Sequence, residues 1–169
     1  RRMRGGIRNR HVFSLARVGG VLLAGTWRRG VLRSAGEEGA WRSVGGEMAF
    51  RVVYCLETQG DTVWAGTSGH GVFRSTDTGR TWTSAGLPGT SVPALRHAGG
   101  RLYAGTWDRG VFARTVGDTA WESAGPAGAS VRAVSTAGTE LFVVQQDARV
   151  LRRGITDSMW KPLVRIPCE

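Results

Sequence analysis

Tyrosine, cysteine and lysine are nearly missing from this chain: 169 residues contain two tyrosines, two cysteines and a single lysine. Two cysteines cannot form the dense disulfide framework of a small secreted scaffold, and Cys55 and Cys168 stand in no metal-ligand pattern. Cys55 reads as a small buried hydrophobe and Cys168 as a terminal thiol more readily than the two read as a pair. No run approaches the ~20 apolar residues of a membrane helix. The opening residues lack the continuous apolar segment of a signal peptide. No cofactor-binding or metal-binding motif occurs, so none is expected. Proline is also sparse, at five against 26 glycines, and the glycines recur at fixed places, as tight turns between short strands require.

Charge of one sign dominates, with a formal net charge of +10, and 22 of the 23 basic residues are arginine. Five of them, Arg1, Arg2, Arg4, Arg8 and Arg10, crowd into a basic N-terminal segment, residues 1–11. The rest are interspersed with acids, and no basic helix accompanies them. Nucleic acid is therefore not the expected partner.

The informative feature is an internal repeat. Ala24-Gly25-Thr26, Ala65-Gly66-Thr67, Ala104-Gly105-Thr106 and Val143-Val144-Gln145 follow one another at steps of 41, 39 and 39 residues. Trp41, Trp82, Trp121 and Trp160 step identically, as do Gly30, Gly71, Gly110 and Arg149. Each unit reads as four short strands. In the third these are 92–97, 101–105, 110–114 and 121–124, with Gly99-Gly100 turning the first hairpin. A four-stranded unit of ~40 residues has the length of a propeller blade, whereas solenoid repeats of similar period need helices. The expected fold is thus all-β: a propeller of four antiparallel blades, near residues 12–44, 51–85, 92–124 and 131–166 of a module spanning 12–169. Two extra residues fall between Trp41 and Ala65 and predict a loop insertion.

Ser75-Thr76-Asp77-Thr78-Gly79-Arg80-Thr81-Trp82 fits the pattern S-x-D-x-G-x-T-W. Ser75 and Asp77 can accept hydrogen bonds from turn amides, Gly79 can take a positive φ, Thr81 completes the turn and Trp82 can pack between blades. With its flanking segments this octapeptide makes the chain resemble the BNR, or Asp-box, repeat propellers of the sialidase and photosystem-assembly-factor type. The resemblance implies a structural, peripheral role for the Asp77 turn and a secreted or periplasmic setting. In the other units the turn decays to Ser34-Ala35-Gly36-Glu37-Glu38, Arg114-Thr115-Val116-Gly117-Asp118 and Arg153-Gly154-Ile155-Thr156-Asp157.

A sialidase-like activity is not expected. Val164-Arg165-Ile166-Pro167 is terminal and lacks the aromatic residue of the family's arginine motif, and Tyr54 and Tyr103 both fall in predicted strands with packing roles. Nor do His11, His70 and His97 build a triad or a zinc site. The loops joining the second and third strands are better candidates. They read Trp27-Arg28-Arg29, Ser68-Gly69-His70, Trp107-Asp108-Arg109 and Gln146-Asp147-Ala148, and a propeller gathers them on one face.

Trp27, Arg29, His70, Trp107, Asp108 and Arg109 form the expected ligand surface, with aromatics for stacking and arginine forks for polar groups. The competing reading has both tryptophans folded over the blade edges. A non-catalytic binding module for a glycan or a protein ligand is expected, with a structural assembly unit as the alternative. Four blades without a clasping strand also predict self-association or membership of a larger ring, two chains making eight blades being one form.

Overall fold

The computed structural model describes residues 11–34 and 40–165. Blade 1 comprises β1 (Val12–Val18), β2 (Val21–Thr26), β3 (Val31–Ser34) and β4 (Trp41–Ser43). Blade 2 comprises β5 (Val53–Gln59), β6 (Thr62–Thr67), β7 (Val72–Ser75) and β8 (Thr83–Ser84). Blade 3 comprises β9 (Ala94–Ala98), β10 (Arg101–Gly105), β11 (Val111–Thr115) and β12 (Glu122–Ser123). Blade 4 comprises β13 (Val131–Ala137), β14 (Glu140–Gln145), β15 (Arg149–Gly154) and β16 (Lys161–Arg165). Each is an antiparallel meander in chain order. Gly19-Gly20 and Gly99-Gly100, all at positive φ, close the first hairpins of blades 1 and 3 as primed turns do.

The first strand of each blade is the inner one, since β5 packs against both β1 and β9, and β9 against β13. Strand alternation then assigns the two faces. On β6, Val63 and Ala65 pack towards blade 1 while Trp64, between them, packs towards blade 3. Apolar clusters join blade 1 to 2, 2 to 3 and 3 to 4, and among the described residues none joins blade 4 to blade 1.

Glycine sets the approach at each of these interfaces. A Cβ at Gly25 would lie 2.9 Å from Cγ1 of Val53, and one at Gly105 would lie 2.5 Å from Cγ1 of Val131. One at Gly66 would run into the carbonyl oxygen of Val92. A second column, Gly30, Gly71 and Gly110, has positive φ and donates its amide to Arg51 O, Thr90 O and Ala129 O in the connection to the following blade, at 2.9–3.0 Å.

The two-residue insertion becomes part of a 3-10 turn, Gly46–Met48, that seats the fully buried Met48 between blades 1 and 2. It is therefore a packing element as well as a loop.

At the outer edge, the Asp77 turn is closed by its own side chains. Ser75 Oγ accepts from the Gly79 amide at 2.9 Å and donates to Asp77 Oδ1 at 2.8 Å. Asp77 Oδ1 accepts from the amides of Arg80 and Thr81 at 3.0 and 2.9 Å, and Oδ2 accepts from the Thr81 hydroxyl at 2.6 Å. Gly79, at φ +80°, lies against Leu23 of blade 1, and Arg33 of that blade donates to Thr78 O at 3.0 Å. The turn thus bolts blade 2 to blade 1.

In blades 3 and 4, where the pattern has decayed, arginine takes the place of Ser75. Arg114 and Arg153 are both buried. The Arg114 guanidinium lies over the rings of Trp64 and Trp121 at 4.8 and 5.6 Å, and that of Arg153 over Trp160 and Tyr103 at 4.9 and 5.8 Å. Each spans two blades. Of the equivalent turn in blade 1, residues 35–38 lie outside the described residues, as do Arg1–Arg10, Ile166, Pro167 and Cys168.

Burial alone would raise the Asp77 carboxyl, but the Thr81 hydroxyl and amide, the Ser75 hydroxyl and the Arg80 amide outweigh it and hold its pKa at about 2. The stability this confers is fully present above the ordinary carboxylate value and is lost as pH falls through about 2. Acid titration by circular dichroism should therefore show a loss between about pH 4 and pH 2 that Asp77→Asn lacks. Asp77→Ala should cost about 1–2 kcal/mol at neutral pH through stranded amides. Trp82→Ala should cost about 3–5 kcal/mol by leaving a cavity. Trp41→Ala, at the matching but partly exposed position of blade 1, should cost less than half as much in the same denaturation assay.

Candidate functional site

Three of the inner strands break register at the same point. The pairing of β1 with β2 skips between Val12 and Ser14, that of β5 with β6 between Val53 and Cys55, and that of β13 with β14 between Val131 and Ala133. The bulged residues are Phe13, Tyr54 and Arg132, and Pro93 holds the column in blade 3. Packing explains the bulge in blade 2. Val53 is buried against Gly25, and the Cys55 thiol donates to Val92 O across the next interface at 3.6 Å. Burial pushes the pKa of that thiol up to about 12, so Cys55 is a packing group. With both neighbours committed to interfaces, the residue between them is turned out of the ladder, which is how a bulge re-aims a side chain.

Phe13 and Tyr54 consequently meet the loop tryptophans. Ring centroids lie 6.1 Å apart for Trp27 and Phe13, 5.7 Å for Phe13 and Tyr54, and 5.0 Å for Tyr54 and Trp107. The four rings make one continuous row across blades 1, 2 and 3. Phe13 is 47 % exposed, Trp27 44 % and Trp107 39 %. The row is accessible, and it joins two residues expected from the sequence to Tyr54, expected there to pack within a strand, and to Phe13, for which there was no expectation.

The loops carrying the tryptophans have fixed bases. The hydroxyls of Thr26, Thr67 and Thr106 donate to the carbonyls of Gly30, Gly71 and Gly110 at 2.8, 2.7 and 2.8 Å. Arg29, His70, Asp108 and Arg109 are exposed at the tips. His70 is turned onto its own loop, with Nδ1 2.6 Å from Ser68 O. Arg109 is partly committed to structure: it donates to Thr90 Oγ1 at 3.1 Å and lies over Phe112 at 5.2 Å. It can offer a ligand only its remaining donors. The blade 4 loop borders a shallow cleft of about 310 Å³ lined by Ala129, Ser130, Gln145, Gln146, Asp147 and Arg149.

No protein-family model matches the chain, and no curated protein matches it in sequence. Solved structures do. The extracellular domain of BT4673 from B. thetaiotaomicron superposes with a TM-score of 0.76 at 15 % identity, over 91 % of this chain and 22 % of that one. YCF48 bound to D1 peptide superposes with a TM-score of 0.70 at 13 % identity, over 90 % of this chain and 54 % of that one. The computationally designed Ika4 protein gives 0.69 at 13 % identity, over 88 % and 93 %. The chain has the β-propeller fold. It spans about half or less of the two natural proteins, so their likeness concerns blade architecture alone.

The six expected site residues lie on the equivalent β2–β3, β6–β7 and β10–β11 loops, and the row of rings joins the first of these loops to the third. Phe13 and Tyr54 had a signal in the sequence: they follow Val12 and Val53 in a column that also contains Pro93 and Arg132, at steps of 41, 39 and 39.

Proposed function

We propose that this propeller is a non-catalytic recognition module whose aromatic row holds an extended peptide segment of a protein partner. The observation that carries the reading is the continuity of Trp27, Phe13, Tyr54 and Trp107 across three blades. The rings are tilted against one another by 70°, 50° and 44°, which presents a corrugated apolar strip instead of one flat platform. Such a strip suits successive side chains of an extended chain. Arg29 and Arg109, on the same loops as the two tryptophans, and Arg132, at the equivalent bulge of blade 4, favour acidic residues in that chain. The YCF48 structure with bound peptide supports the reading by analogy of fold.

Glycan binding is the second reading, favoured by the exposed Trp27 and Trp107 at the two ends of the row. Catalysis is not proposed: hydrolysis of a glycosidic bond needs a pair of carboxylates across a cleft, and of the two loop carboxylates, Asp108 and Asp147, the second is paired with Arg149 at 3.0 Å.

Screening the intact chain against a peptide array of acidic and aromatic sequences, alongside a glycan array, tests the proposal. The expected result is peptide binding that falls about tenfold or more in Trp107→Ala and in Tyr54→Ala, with unchanged melting of the Trp107 variant. Glycan hits lost in the same variants would favour the second reading. Hits that survive both substitutions would move the site away from the row.

A further inference from the structure

Blades 1 to 3 share three columns of glycine, and at eight of the nine positions the glycine serves the blade that follows, a Cβ at Gly45 meeting nothing within 4 Å. Gly25, Gly66 and Gly105 let the head of the next inner strand approach. Gly30, Gly71 and Gly110 donate to the connection leading into the next blade. Gly45, Gly86 and Gly125 form the third column. A Cβ at Gly86 would lie 2.7 Å from the Trp121 ring, and one at Gly125 would lie 3.2 Å from the Trp160 ring. In blade 4 all three positions carry side chains: Val144, Arg149 and Val164. Arg149 is turned onto its own loop, its Nε 3.0 Å from Asp147 and its amide directed to the same carboxylate. At the first of these positions Val144 puts a side chain where Gly25, Gly66 and Gly105 leave space for the next inner strand.

Blade 1 shows the opposite condition. On its side facing away from blade 2 it keeps the residues that elsewhere enter such a seat. Val12 is 37 % exposed although its counterparts Val53, Val92 and Val131 are fully buried. Leu15 is 64 % exposed, whereas of its counterparts Leu95 is buried at 6 % and Leu56 and Val134 are half-buried. Trp41 occupies the column in which Trp121 and Trp160 donate Nε1 to the preceding blade, to Ala85 O and Ala124 O at 2.8 Å.

We infer that the outer face of blade 1, and not that of blade 4, is built to receive one further propeller blade, one carrying glycine at the positions of Gly105 and Gly110. A second copy of this chain does not qualify. Its three glycine seats are occupied by its own blades, and its fourth blade has none. The ring of two chains and eight blades expected from the repeat count is therefore not the arrangement these faces are built for.

The test is a pair of fusions. Blade 3 with its trailing connection, residues 92–130, is joined directly ahead of Val12 in one protein and directly after Glu169 in the other. Both junctions preserve the repeat register. Added ahead, the blade should raise the thermal midpoint by about 5 °C or more, and Leu15→Asp, nearly neutral in the unmodified chain, should abolish that gain. Added behind, it should give no rise and should be removed by limited proteolysis, unless Val144→Gly, Arg149→Gly and Val164→Gly are made together. Equal behaviour of the two fusions, or a gain only from the one behind, would overturn the inference. So would a stable dimer of the unmodified chain that is dissociated by Leu15→Asp and by Val144→Asp alike, because that dimer would be the head-to-tail ring.

Discussion

A glycine on the second strand of one blade faces a valine at the head of the next blade's inner strand at all three interfaces, as Gly25 with Val53, Gly66 with Val92 and Gly105 with Val131. The missing Cβ lets the inner strands close up, and the rest of each interface follows. Val63, Trp64, Leu102 and Tyr103 interdigitate behind the contact, and the indoles of Trp121 and Trp160 reach back over the preceding sheet. The same contact shapes the rim. It claims Val53 on one side, and Cys55 is held against the following blade on the other, so Tyr54 leaves the ladder. The candidate binding row is in this sense a consequence of core packing, and its position is as fixed as the core itself.

The outer edges show one structural task met by two chemistries. In blade 2 an ionised carboxylate satisfies the turn amides, and the closed turn rests on blade 1. In blades 3 and 4 a guanidinium slides between indole and aromatic faces of adjacent blades. The two arginines combine flat stacking with retained donors, as Arg114 shows by donating to Ala85 O at 3.2 Å. An arginine-rich composition that resembles a nucleic-acid signal is in part a set of inter-blade staples.

Period, strand order and the four-bladed architecture were legible because three residue columns keep one register and the hairpins carry their own turn glycines. Other features were not. Tyr54 read as an ordinary strand residue and Phe13 drew no expectation, since a bulge depends on what the flanking positions pack against, which lies in a neighbouring blade. Arg114 and Arg153 read as decay of a turn, because an aromatic face that receives each comes from a residue 50 positions earlier, Trp64 and Tyr103. The exchange of glycine for Val144, Arg149 and Val164 was visible as repeat divergence, yet its directional meaning needed the knowledge of which blade each glycine serves.

Glycine seats, used in one direction, hold the blades together. Native-state amide exchange measures it residue by residue. The amides of Gly30, Gly71 and Gly110 sit in loops, yet each donates to the connection into the next blade. They should exchange as slowly as the strand amides of Leu23 and Tyr103, whereas the Arg149 amide, whose partner is an exposed side chain, should exchange at the rate of a surface loop. Fast exchange at Gly71 and Gly110, or equal protection at Arg149, would contradict the account.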